Sequence, residues 1–77
     1  MTEYRITDYN NVRWGTTDNF DSLCGLAQYL VNSVDPKERL KHFTIYAHGD
    51  DNFEINLADF CEQHNIRKQS FGERMQF

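Results

Sequence analysis

The sequence predicts a small α+β domain, in which an antiparallel sheet of three to four strands carries two main helices on one face. Two observations predict it. In residues 3–9 and 42–48 the side chains alternate with a period of two, as they do in strands. In residues 23–34 and 57–64 apolar side chains lie three and four positions apart, as they do in amphipathic helices. A helix that is apolar on one side needs a second layer to cover it. At 77 residues, we expect a single compact domain over 1–77.

A hairpin is predicted at the beginning of the chain. Residues 3–9 form its first strand, because β-branched and aromatic residues recur there with a period of two. Asn10 and Asn11 predict the turn, because Asn tolerates positive φ. Residues 12–14 return as a second short strand, and the polar residues 15–19 are expected to form a loop.

The first helix has the clearest pattern. Asp21 or Ser22 is expected to cap its N-terminus, where backbone N–H groups need an acceptor. Asp35 ends the helix, because the residue before a proline avoids the α region. Gly25 is expected where another element packs closely. The apolar side of the helix consists of Leu23, Leu26, Ala27, Leu30, Val31 and Val34.

The second half of the chain repeats the order of strands and helix. Residues 42–48 predict a strand, the Gly-Asp-Asp-Asn stretch over 49–52 predicts a turn, and 53–55 predict the returning strand. Asn56 is expected to cap the second main helix. A short C-terminal helix over 71–76 is predicted by the Ser-x-x-Glu pattern that precedes it.

Charge is distributed unevenly along the chain, which has a net charge of −4. Residues 1–64 hold five Lys and Arg against eleven Asp and Glu, whereas 65–77 hold three basic residues and one acidic residue. An acidic body repels nucleic acid and attracts basic surfaces. An aromatic share of 14% argues against disorder.

Several classes of protein are disfavoured by the sequence. No apolar run approaches the ~18 residues of a membrane span, and no signal peptide opens the chain, so we expect a cytoplasmic protein without membrane contact. Cys61 and His64 form a single C-x-x-H pair, and Cys24 adds no second pair, so we expect no metal and no cofactor. Asp50 and Asp51 after His48 are typical of a solvated turn, so we expect no enzymatic activity.

Protein binding is the first function that the sequence predicts. Trp14 and Tyr46 are candidate anchors, because aromatic residues with polar tips are enriched at interfaces. The acidic side chains beside them would face a basic cleft of a host protein, possibly a nucleic-acid-binding effector, with the chain acting as a monomer or homodimer. These acidic residues are Asp18, Asp21, Asp50, Asp51 and Glu54.

DNA binding through residues 57–76 is the alternative. The pattern Leu57-Ala58-x-Phe60-Cys61-x-x-His64-Asn65-Ile66-x-x-x-Ser70-Phe71 resembles the helix–turn–helix of small phage and nuclease-associated DNA-binding modules. The resemblance implies that a C-terminal recognition helix faces DNA. Phosphate and base-edge contacts would then come from Arg67, Lys68, Gln69 and Arg74.

A second resemblance is one of type. A compact, acidic, aromatic-rich single domain resembles the small phage-encoded or mobile-element-encoded inhibitors of host defence, such as anti-CRISPR and antirestriction proteins. The stretch from Asn19 to Leu30, followed by a strand near 43–47 and then acidic residues, is similar to antirestriction modules. This resemblance implies a non-enzymatic inhibitor, in the cytoplasm of a bacterial host, that occupies a basic nucleic-acid-binding surface.

Overall fold

A computed structural model of the chain describes residues 1–34 and 37–69. Within them, a four-stranded antiparallel sheet in the order β2-β1-β3-β4 carries helices on one face, so the predicted α+β class is confirmed. The predicted helix over 71–76 lies outside the described residues. The elements are β1 (Glu3–Thr7), β2 (Arg13–Thr17), α1 (Phe20–Ser33), a 3₁₀ helix (Lys37–His42), β3 (Thr44–His48), β4 (Phe53–Asn56) and α2 (Leu57–Gln63).

The centre of the sheet is the antiparallel pair of β1 and β3, whose register runs from Glu3 opposite His48 to Thr7 opposite Thr44. Each of these strands is also paired with its successor in a hairpin, which leaves β2 and β4 at the edges. The chain therefore consists of two ββα units, β1–β2–α1 and β3–β4–α2, whose strands meet at the β1–β3 seam.

The core lies between the sheet and the helices. Ile6 is paired with Ile45, and both side chains point to the face that the helices cover. Burying an aliphatic or aromatic side chain of this size contributes about 1.5–3 kcal/mol. Burial of these side chains therefore stabilises the packing of the helices on this face of the sheet. Its buried members are Tyr4, Ile6, Leu23, Ala27, Leu30, Val31, Leu40, Phe43, Ile45, Ala47, Leu57, Phe60 and Cys61.

Several strand boundaries differ from those predicted. β1 ends at Thr7 and not at residue 9, because the backbone N–H of Asp8 turns to donate to Val12 O (3.0 Å). β2 extends to Thr17, through residues predicted as loop, because pairing with β1 orders them in the sheet. β3 begins at Thr44 because the 3₁₀ helix continues through His42.

The helix caps are asparagines. The predicted caps of α1 were wrong: Asn19 caps the helix, and its Oδ1 accepts from the backbone N–H of Ser22 (3.1 Å), while Asp21 lies in the first turn. Asn56 caps α2 as predicted, and its Oδ1 accepts from Ala58 N–H (2.8 Å). In both cases the amide oxygen satisfies an N–H that the helix itself leaves unpaired.

The close contact predicted at Gly25 is also wrong. Gly25 is exposed, and a Cβ built there would meet nothing within 4 Å. The close approach between strand and helix lies at Gly15 in β2, where a Cβ would lie 2.7 Å from Leu26 Cδ1 of α1.

Candidate functional site

Four of the predicted acidic residues meet at one end of the sheet. Because the strands are antiparallel, the beginning of β1, the end of β2 and the β3–β4 turn share this end. Asp18 follows β2 and Asp21 opens α1, while Asp50 and Asp51 occupy the turn. With Glu3 of β1, these exposed residues form what we call the acidic end: Glu3, Asp18, Asp21, Asp50 and Asp51.

Positive charge is scarce at the acidic end. The described segments that form it, 1–3, 17–21 and 48–53, contain no Lys or Arg. Within these segments, an ion pair joins the Met1 amino group to Asp50 Oδ2 (2.6 Å), and both groups are exposed. Thr2 Oγ1 accepts from the backbone N–H of Asp51 (3.1 Å), which attaches the turn to the beginning of β1. Gly49 permits this attachment, because its φ of +139° and the closeness of Met1 O exclude a side chain there.

An aromatic groove lies beside the acidic end. Phe20 lies between Asp18 and Asp21 in sequence, and Phe53 follows the acidic turn; the two side chains are 40% and 41% exposed. The Phe20 ring packs edge-on against Tyr4 (5.9 Å between centroids), and Tyr4 in turn lies 6.4 Å from Phe53. The groove has a volume of about 430 Å³ and is lined by Phe20, Phe53, Glu54, Ile55, Phe60, Gln63 and His64.

Sequence reasoning missed Phe20 and Phe53. Neither belongs to the apolar side of a predicted helix, and a small core needs large side chains, so neither stood out. The available signal was the close alternation of acidic and aromatic residues in Asp18-Asn19-Phe20-Asp21 and Asp50-Asp51-Asn52-Phe53.

Trp14 lies at the opposite end of the sheet. It occupies the irregular position of β2, where the register with β1 shifts between Ile6 and Thr7. Its ring packs edge-on against Phe43 (5.6 Å), and its Nε1 donates to Asp8 Oδ2 (3.0 Å). Trp14 precedes Asp18 by four residues along β2, which at about 3.4 Å per residue places it about 13 Å from the acidic end.

Tyr46 and Glu54 lie on the face of the sheet opposite the helices. They are cross-strand partners on β3 and β4, and Arg5 of β1 is the other partner of Tyr46. The Arg5 guanidinium carbon lies 5.2 Å from the centre of the Tyr46 ring, a cation–π distance. Tyr46 is therefore already covered on one side by a side chain of its own sheet.

The residues of the DNA-binding alternative lie beside α1. Residues 66–69 follow α2 without helical structure. Arg67 O accepts from Gln28 Nε2 (2.8 Å), and the backbone N–H of Gln69 donates to Asn32 Oδ1 (2.9 Å). Asn32 Nδ2 also donates to Gln69 Oε1 (3.4 Å), so the amide predicted to read bases is bound within the chain. The side chains of Arg67 and Lys68 are exposed, and Arg74 lies outside the described residues.

The two thiols lie against the core. Burial raises the pKa of Cys61 to about 11, with a smaller contribution from Cys24. Burial is also the main cause that raises the pKa of Cys24, and the charge of Asp21 adds to it. Both thiols are therefore protonated at neutral pH, a state in which sulfur is a poor nucleophile and metal ligand. Over residues 1–34 and 37–69, no three His, Cys, Asp or Glu side chains are grouped to hold a metal ion.

The fold and the site together define a two-layer α+β domain with one strongly acidic end. Comparisons with protein-family models, with curated proteins and with solved structures find no match to this chain. In the part of the chain that the structure describes, neither helix has the length and apolar character needed to cross a bilayer.

Proposed function

We propose that this chain is a non-enzymatic inhibitor or regulator of the phage type, and that its acidic end covers a basic nucleic-acid-binding surface of a host protein. One observation carries the proposal. Carboxylates from three separate segments are gathered at one end of the sheet, and these segments contain no Lys or Arg.

Electrostatics favours a binding role for this arrangement. Exposed like charges that lie close together repel one another, so their grouping costs stability. A basic cleft would remove this repulsion on binding, raise the association rate and exclude partners of the wrong charge. The same charges oppose direct contact between this end and phosphate.

The test measures displacement of DNA from a host protein. Proteins captured from a bacterial lysate by the immobilised chain are purified, and those that bind a labelled duplex are titrated with the free chain. We expect the chain to displace the duplex. In the double variant D18K/D51K, displacement should weaken by about tenfold or more, because both reversed charges lie on the acidic end.

The matched control is the double variant E38K/E62K. It makes the same change in net charge on the 3₁₀ helix and on α2, at exposed positions outside the three segments that form the acidic end. It should displace the duplex as the unchanged chain does. Equal weakening in both variants would show that net charge, and not the acidic end, is responsible, and would contradict the proposal.

A titration of the duplex with the chain alone tests the DNA-binding alternative. Binding through phosphates must weaken steeply between about 50 mM and about 200 mM salt. We expect no binding at either concentration. Binding with that salt dependence, lost in R67A/K68A, would favour the alternative in place of the inhibitor.

A further inference from the structure

We infer that the groove beside Phe20 and Phe53 takes one apolar side chain of the partner, from a segment that carries Lys or Arg on both sides of it. The inference rests on the proposed function and names the chemistry of the partner at that site. It is carried by the groove's shape and by the charges at its rim.

The groove is preformed. Phe20 is held by three rings, with centroid distances of 5.9 Å to Tyr4, 6.1 Å to Phe60 and 5.4 Å to His64. Tyr4 and Phe60 are themselves buried, and the Phe60 and His64 rings lie 4.4 Å apart. Aromatic side chains that are already fixed lose little freedom on binding, so contacts with them are converted efficiently into affinity.

The groove exposes apolar surface from two phenylalanines. Phe20 and Phe53 leave about two fifths of their surface exposed on either side of a groove whose lining includes Ile55 and Phe60. Covering this surface with an aliphatic or aromatic side chain removes apolar area from water, which favours binding. Binding-energy hot spots are of this kind, a central anchor in a pocket surrounded by a polar rim.

The rim selects the charge of the segment. Phe20 stands between Asp18 and Asp21 in the acidic end, and Phe53 follows the turn that holds Asp51, so each of the two phenylalanines lies in a segment that also carries exposed carboxylates. Phosphates and acidic peptides would be repelled there. A segment that places one apolar side chain between cations matches both the lining and the rim.

The test uses two synthetic peptides and the ¹⁵N-labelled full chain. One peptide is acetyl-Lys-Lys-Leu-Lys-Lys-amide, and in the other Ser replaces the central Leu. We expect the Leu peptide to shift the backbone amide signals of Phe20, Phe53 and Gln63, and to bind about tenfold more tightly than the Ser peptide, as expected for burial of one such side chain.

Three variants locate the effect. F53A should bind the two peptides equally, and F53L, which keeps an apolar side chain, should preserve the preference for Leu. Y29A is the control, because Tyr29 is 64% exposed on α1 and does not line the groove. Each variant is first checked for a dispersed amide spectrum, and F53L keeps the test informative where F53A does not fold.

The outcomes separate this inference from the proposed function. Equal binding of both peptides, lost in D18K/D51K, would overturn the groove while leaving the acidic end as the binding surface. Absence of peptide binding would also overturn the inference, as would peptide-induced signal shifts at the 8–14 hairpin. Self-association of the chain in sedimentation experiments, lost in F53A, would mean that a second copy fills the groove and would overturn it too. Duplex displacement from the host protein reports on the proposed function independently of these results.

Discussion

At the residue scale, the carboxylate of Asp8 organises the first hairpin. It accepts from the backbone N–H groups of Asn10 (2.8 Å) and Val12 (3.0 Å) and from Trp14 Nε1 (3.0 Å). The hydrogen bond from Trp14 is the main cause that holds the pKa of Asp8 below its ordinary value, and the two backbone bonds act in the same direction. Trp14 is therefore fixed in position although it is 51% exposed.

We expect the hairpin to loosen in acid. Because the pKa of Asp8 is lower in the folded chain than in the unfolded chain, its stabilisation is present above the unfolded pKa of about 3.9 and is lost as the pH falls through the folded value. Trp14 is the single tryptophan of the chain, so its fluorescence reports this step directly. The emission should shift towards that of solvated indole below about pH 4.

The variant D8N provides the control for this titration. It keeps an oxygen acceptor at the same place but cannot titrate, so the acid step in Trp14 emission should disappear. The same step in D8N would mean that another group controls the hairpin.

At the element scale, the two glycines near α1 have opposite roles. Gly25 lies on the exposed side of the helix, where nothing fills the space of a Cβ, whereas Gly15 lets β2 approach Leu26 of α1. A glycine in a helix interior costs about 0.8–1.0 kcal/mol relative to alanine. Substitution by alanine should therefore raise stability at Gly25 and lower it at Gly15.

The substitution G25A should raise the free energy of unfolding by up to about 1 kcal/mol, or about 4–8 °C in Tm for a domain of this size. G15A should lower it by about 1 kcal/mol, the low end for overpacking, because its Cβ would overlap the far end of the Leu26 side chain, which can shift. Thermal and urea unfolding of both variants checks the pair. A loss of stability in G25A would mean that the exposed side of α1 makes a contact at that position.

The elements themselves could be predicted from the sequence, but several of their ends could not. Apolar spacing predicts α1 and α2 because each helix must bury one side, and alternation predicts β1 and β3 because they are central strands. Asn19, Asp21 and Ser22 all have side chains that can cap a helix, so local pattern did not select Asn19. Residues 15–17 form an edge strand through pairing with β1, and their own composition gives little sign of it.

At the scale of the whole molecule, the acidic residues of the site could be predicted from the sequence, but their convergence at one end of the sheet could not. Asp18 and Asp51 are 33 positions apart in sequence, and the β1–β3 register is what brings their segments to one end. The β1–β2 register places Trp14 at the other end, so this predicted aromatic anchor is separated from the predicted acidic residues. Phe20 and Phe53 were missed because their exposure depends on how the two halves of the chain pack together.

The acidic end should contribute little to folding. We expect D18N/D51N to leave the free energy of unfolding unchanged or higher at low salt, because it relieves repulsion between exposed carboxylates. D21N should lower it by about 0.3–1 kcal/mol, because Asp21 lies in the first turn of α1, where negative charge is favourable. Urea unfolding at low and high salt checks both. A clear decrease in the free energy of unfolding of D18N/D51N would contradict this expectation, because it would mean that these carboxylates stabilise the fold.

The β1–β3 seam makes the two halves of the chain complementary fragments. Phe20, Asp18 and Asp21 come from the first ββα unit, and Phe53, Asp50 and Asp51 come from the second. Neither unit carries the acidic end or both walls of the groove by itself. The surface is thus assembled by the same strand pairing that closes the core, and separation of the two units would dismantle fold and surface in a single event.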